Sequence, residues 1–164
     1  MVAAYVYRDE FVTLHRLLKF SGQESLFAPL GDRMSRALLA REIPPPELVV
    51  ALPPDPLRWG PRRRVSRRLA RMVSRSLGLP SRPRALRKRR STRSQTRRTR
   101  EERSLALQGV FTADAQALHG RRVLLVDDVA TTLATLSDAS RALREAGARE
   151  IIALVLARTP RALS

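Results

Sequence analysis

The chain of 164 residues contains no cysteine. Disulfides, thiolate zinc sites and a thiol nucleophile are thereby excluded. Aromatic residues are scarce, at 4%, with one tryptophan, Trp59. A base-stacking platform like those of single-strand binders is therefore not expected. Histidine occurs only at positions 15 and 119. So far apart in sequence, His15 and His119 read as surface residues and not as metal ligands. No stretch approaches the ~20 apolar residues of a membrane span, and the start lacks the charged-then-apolar pattern of a signal peptide. The expectation is a cytoplasmic protein without a membrane span. The length fits one domain, residues 1–164, with enough apolar content for a core.

Acidic residues are missing from one contiguous region. Residues 58–103 hold 19 basic residues against two acids, Glu101 and Glu102; the rest of the chain carries 13 of each sign. The whole formal excess of +17 thus lies in about a quarter of the molecule. Such asymmetry points to a polyanion, either nucleic acid or a phosphorylated ligand.

The apolar pattern divides the chain into elements. Tyr5 to Phe20 reads as a helix with Phe11, Leu14, Leu17 and Leu18 on one face, broken by Gly22. Leu26 to Ala40 reads as a second helix with Leu30, Met34, Ala37 and Leu38 inward. Pro44, Pro45 and Pro46 end it. Leu48 to Leu52 is a buried strand before Pro53 and Pro54. Pro61 to Leu77 is the clearest helix, with Val65, Leu69, Met72, Val73 and Leu77 in one stripe and Gly78 beyond its end. Arg62, Arg63, Arg67, Arg71 and Arg75 fall away from that stripe. Ser81 to Thr99 is basic and nearly free of apolar residues, so it reads as a long loop or an excursion from the core, functional or disordered, within a basic loop or lid at about 81–105. Glu101 to Val110 is a short helix or strand. Gly120 to Asp128 and Glu150 to Ala157 are strands. Between them Leu133, Leu136, Ala139, Leu143 and Ala146 form a helix ended by Gly147. That unit is a βαβ crossover, right-handed by the usual rule.

One junction carries chemistry. Val123 to Val126 runs into Asp127 and Asp128, and a threonine-rich turn leads into a helix. Open α/β sheets place ligands at the carboxyl ends of such strands. The two aspartates would accept from a ligand's hydroxyls. The turn from Ala130 to Thr135 would offer backbone N–H groups and hydroxyls at a helix N-terminus, where a phosphate is stabilised. Together they describe a sugar-phosphate site. The plainer alternative is an ordinary strand–turn–helix with Thr131 or Thr132 as N-cap.

Val126-Asp127-Asp128-Val129-Ala130-Thr131-Thr132 resembles the phosphoribosyl-pyrophosphate (PRPP) signature of type I phosphoribosyltransferases. Leu133 stands where that family has glycine, which would let the backbone close around a phosphate. The rest of the chain is similar to the ComF family, phosphoribosyltransferase-like proteins tied to natural competence and DNA uptake. The likeness rests on Leu18-Lys19-Phe20 with Gly22, on Val50-Ala51-Leu52-Pro53, and on Arg90, Thr92, Gln95, Arg103, Gly109 and Phe111 in order. Three features depart from the ComF pattern. The four-cysteine zinc ribbon is missing, an Arg-Gly-Phe-Asn-Gln box appears as Arg62-Arg63-Arg64-Val65-Ser66, and Ala106 replaces an asparagine.

The resemblance implies a Rossmann-like α/β fold, a parallel sheet flanked by helices. It implies a PRPP set of Asp127, Asp128, Val129, Ala130, Thr131, Thr132, Leu133, Ala134 and Thr135. Asp127 and Asp128 take the ribose hydroxyls; Thr131, Thr132 and Thr135 hold the 5-phosphate. Arg58 and Arg62 would approach the pyrophosphate, and Thr92, Gln95 and Arg103 belong to the lid. Magnesium would arrive with the ligand, not in a protein cage.

Two other functions stay open beside phosphoribosyl transfer. The first is a sequence-tolerant nucleic-acid-binding accessory protein using Arg63, Arg67, Arg71, Arg87, Lys88, Arg89 and Arg90 on DNA phosphates, with competence-machinery proteins as further partners. The second is a regulator that senses PRPP or a nucleotide without turning it over.

Overall fold

The computed structural model describes residues 1–7, 9–20, 23–54, 65–89, 109–130 and 133–159, without the side chains of 9, 10, 19 and 20. Four strands form a parallel sheet: β1 (Val2–Val6), β2 (Leu48–Ala51), β5 (Arg122–Ala130) and β6 (Glu150–Arg158), in the order β1-β6-β5-β2. A short antiparallel pair, β3 (Leu86–Lys88) with β4 (Phe111–Ala113), stands apart from it. The helices are α1 (Asp9–Phe20), α2 (Phe27–Leu39), α3 (Val65–Leu77), α4 (Ala115–Leu118) and α5 (Leu133–Glu145). A 3-10 turn at Glu24–Leu26 precedes α2.

The two faces of the sheet bury separate clusters. Successive residues of a strand alternate sides, so Leu124 and Val126 of β5 join Val49, Ala51, Leu154 and Leu156 against α1, α2 and α3. Val123 and Leu125 join Leu48, Val50 and Val155 against α4, α5 and the β3–β4 pair. Coverage on both faces explains why β2, β5 and β6 read as near-continuous apolar runs. α2 and α3 pack closely, because Gly31 has no Cβ: one built there would lie 2.4 Å from Met72 Cβ.

Most expected elements form. The strand at 48–52, the helix at 26–40 and the β5–α5–β6 unit appear within a residue or two, allowing for the usual spread of boundaries. Gly78 and Gly147 end their helices at φ 65° and 88°, a region that suits glycine. The expected start at Pro61 and the break at Gly22 lie outside the described residues, as does 101–108 of the segment expected to be a short helix or strand.

Two expectations are corrected. Tyr5 does not begin a helix: Val2–Val6 is an edge strand, paired in parallel with β6 from Val2↔Leu154 to Val6↔Arg158, and the helix starts at Asp9. The described start of the basic segment is not a free excursion either. Ala85 and Leu86 are buried, and Leu86 pairs with Ala113 in β3–β4. One leucine among arginines suffices here, because Phe111 and Val110 supply the rest of that small core.

Candidate functional site

All four strands of the main sheet are parallel, so their carboxyl ends share one edge. Asp127 and Asp128 stand there on β5, one short turn before α5. The two differ in surroundings. Asp127 is 7% exposed. Its Oδ1 accepts from Ser66 Oγ of α3 at 2.9 Å and from the Asp128 N–H at 2.8 Å. Burial pushes its carboxyl well above the usual carboxylate range, and the adjacent Asp128 charge adds to this; the N–H and hydroxyl donors oppose it. Asp128 is half-buried. Its Oδ2 lies 3.1 Å from His15 Nε2 of α1.

The expectation that His15 is a surface residue is therefore wrong. His15 is 7% exposed, stacked on Phe11 at 6.0 Å and met edge-on by Tyr7 at 5.7 Å. The helical period put Phe11 and His15 one turn apart on the inward face, but nothing in the sequence named Asp128 as the partner. His119 is exposed, as expected.

Beyond the aspartates, Val129 and Ala130 continue β5, half-buried and buried. Leu133 opens α5 at 51% exposure, so its side chain is turned largely to solvent. Ala134 and Thr135 follow in the first turn and are half-buried. Thr131 and Thr132, between strand and helix, lie outside the described residues. So do Arg58, Arg62, Arg63, Arg90, Thr92, Gln95 and Arg103, so the whole expected pyrophosphate and lid set lies outside the described residues. The backbone N–H groups of the first α5 turn are the helical donors nearest to Asp128 in sequence.

Two sets of basic residues stand out on α3 and around β3. Arg67, Arg71 and Arg75 are exposed at successive turns of α3. Arg67 also joins Arg84, Arg87 and Lys88 around a cleft of about 400 Å³, closed on the sheet side by Pro53 and Pro54. Lys88 lies over the Phe111 ring at 6.0 Å. Arg89 is exposed just beyond β3. The cleft thus opens past the carboxyl end of β2, next along the sheet from Asp128.

Sequence reasoning also missed Ser66 and Asp138. Asp138 is 6% exposed on α5 and accepts from the N–H groups of Gly109 and Val110, each at 3.2 Å. It fixes the point where the chain returns from the undescribed basic segment. Among the described residues no cluster of three or more metal-ligating side chains occurs and no helix is long and apolar enough to cross a membrane.

The phosphoribosyl transferase domain family matches residues 63–163. No curated protein sequence matches this chain. Among solved structures, the allosteric regulatory enzyme of purine biosynthesis is similar at TM-score 0.56 and 22% identity, over 80% of this chain and 25% of its own. The glutamine PRPP amidotransferase from B. subtilis, in complex with ADP and GMP, is similar at TM-score 0.53 and 20% identity, over 79% of this chain and 26% of its own. The chain spans about a quarter of the length of either, and at these identities the likeness is one of fold.

Proposed function

Because the chain belongs to the phosphoribosyl transferase domain family, we propose that its sheet edge binds PRPP, or a nucleotide carrying the same ribose phosphate. One observation carries this reading: half-buried Asp128 stands at the end of β5, with the N-terminus of α5 five residues later. A carboxylate accepts from ribose hydroxyls, and helix amides hold a 5-phosphate. In this reading Asp128 meets the sugar. Asp127 supports it from behind, its Oδ1 already held by protein donors. The segment from Val129 to Thr135 would hold the phosphate, Thr131 and Thr132 with it.

The Arg67, Arg84, Arg87 and Lys88 cleft would receive the pyrophosphate, with Arg58 and Arg62 and with a lid formed by the remainder of 81–105. Magnesium would arrive with the ligand, bound by the diphosphate oxygens. When bound it neutralises charge on the diphosphate. Within the family we read the chain as ComF-type, a protein of competence and DNA uptake, on the sequence motifs between Leu18 and Phe111.

Isothermal titration of Mg–PRPP tests the reading. Heat of binding in the wild type, with weaker affinity in Asp128→Asn, supports it; no heat at millimolar ligand removes it. Binding followed by pyrophosphate release with an acceptor marks an enzyme. Binding without release marks a ligand sensor.

The same guanidinium groups favour a second reading, a nucleic-acid-binding accessory protein. Arg67, Arg71 and Arg75 form an exposed row on α3 that runs on into the cleft. Phosphate contacts of this kind are sequence-tolerant and fall steeply with salt. Anisotropy of labelled DNA at two salt concentrations tests it. Weak, salt-insensitive binding counts against it.

A further inference from the structure

His15 belongs to α1, far ahead of the family match that begins at residue 63. Its Nε2 nevertheless reaches Asp128 Oδ2 at 3.1 Å across 113 residues of sequence. The imidazole is held from its other sides. Phe11 stacks on it at 6.0 Å, Tyr7 meets its edge at 5.7 Å, and the Tyr7 hydroxyl stands 3.5 Å from Nδ1. Tyr5 extends the cluster, with its ring 5.7 Å from Phe11. In a chain so poor in aromatics, both tyrosines and Phe11 thus collect around one histidine.

The chemistry follows from the donor inventory. An ionised carboxylate only accepts, so Nε2 donates its N–H to Asp128, while Nδ1 faces the Tyr7 hydroxyl. Asp128 lies near the end of a strand, with buried Asp127 beside it. A fixed N–H on Oδ2 sets its orientation, and such a bond to an ionised group is stronger than a neutral one. α1 therefore adds a side chain to a site whose aspartates and following helix lie within residues 63–163.

We propose that His15 is a positioning residue: it holds the Asp128 carboxylate in the orientation that receives the ribose hydroxyls of PRPP. The proposal rests on the reading of Asp128 given above. His15 is too buried to meet the ligand itself, so it acts through Asp128.

The test compares Mg–PRPP affinity, by calorimetry, in the wild type, His15→Gln, His15→Leu, Asp128→Asn and the His15→Leu/Asp128→Asn double variant. Glutamine can place an N–H donor near the position of Nε2, whereas leucine keeps only the apolar packing on Phe11. His15→Leu should weaken binding about tenfold, the scale of one hydrogen bond to a charged group. His15→Gln should recover most of that loss. The double variant should bind no more weakly than Asp128→Asn alone, because coupled residues are not additive. Wild-type affinity in His15→Leu, or losses that multiply in the double variant, overturns the proposal and leaves the PRPP reading standing. A wild type that does not bind PRPP overturns both.

A ligand-free arm needs no folded His15→Leu protein. Nitrogen-15 spectra of the wild type should show His15 protonated on Nε2, and Asp128→Asn should change that signal. An unchanged His15 signal overturns the proposal.

Discussion

Ser66 Oγ donates to Asp127 Oδ1 at 2.9 Å, joining the first turn of α3 to the carboxyl end of β5. The bond spans 61 residues and fixes where the basic helix sits relative to the candidate site. Ser66→Ala leaves a buried carboxyl one donor short. The loss should be about 1–3 kcal/mol, the usual cost of leaving a buried polar group under-satisfied. Urea unfolding checks it, and a change near zero would mean that α3 is placed by apolar packing alone.

Asp127 makes a prediction about pH. Burial raises its carboxyl above the usual range, so the folded state holds this proton more tightly than the unfolded chain does. The resulting stabilisation is complete below the unfolded-state value of ~3.9 and is lost as pH rises through the higher folded-state value. Asp127→Asn keeps an Oδ1 acceptor for Ser66 and has no proton to lose. Its stability relative to the wild type should therefore increase with pH above about 4. Paired denaturation curves at several pH values measure this; a gap that stays constant or narrows contradicts it.

Gly31 sets the contact between α2 and α3. A Cβ there would lie 2.4 Å from Met72 Cβ, and Gly31 is buried, so the added methyl must push two helices apart. Gly31→Ala should destabilise by about 1–3 kcal/mol through overpacking, despite alanine's better helix propensity. Thermal melting of the variant tests this. A more stable Gly31→Ala protein would show that the helices separate at little cost.

Asp138 ties Gly109 and Val110 to α5 and also takes Arg141 at 2.7 Å. Asp138→Ala should free both amides. Hydrogen exchange at Gly109 and Val110 should rise at least tenfold while β5 and β6 stay protected, because local opening is distinct from global unfolding. Unchanged exchange at those two amides would contradict the tether.

The β5–α5–β6 unit was legible because its signals are local. Val123 to Val126 is a buried run, Leu136, Ala139 and Leu143 keep the helical period, and Gly147 marks the end. β1 was not legible for a physical reason. Tyr7, just past its end, sits at helical spacing ahead of Phe11 and Leu14, so the end of the strand falls in register with the apolar stripe of the helix. Leu86 escaped because a single leucine between Arg84 and Arg87 has no period; its burial is decided by Phe111, 25 residues on. The aspartate pair could be read as a site, but the difference between its two members could not. Asp127 is set by Ser66 and Asp128 by His15, and both partners come from distant sequence.

The crystal structure of this protein with Mg–PRPP tests the central claim most directly. The predicted result has ribose hydroxyls within hydrogen-bond distance of Asp128 and the 5-phosphate over the turn into α5, with His15 still on Asp128 Oδ2. PRPP bound elsewhere, with Asp128 turned away from the sugar, would contradict it.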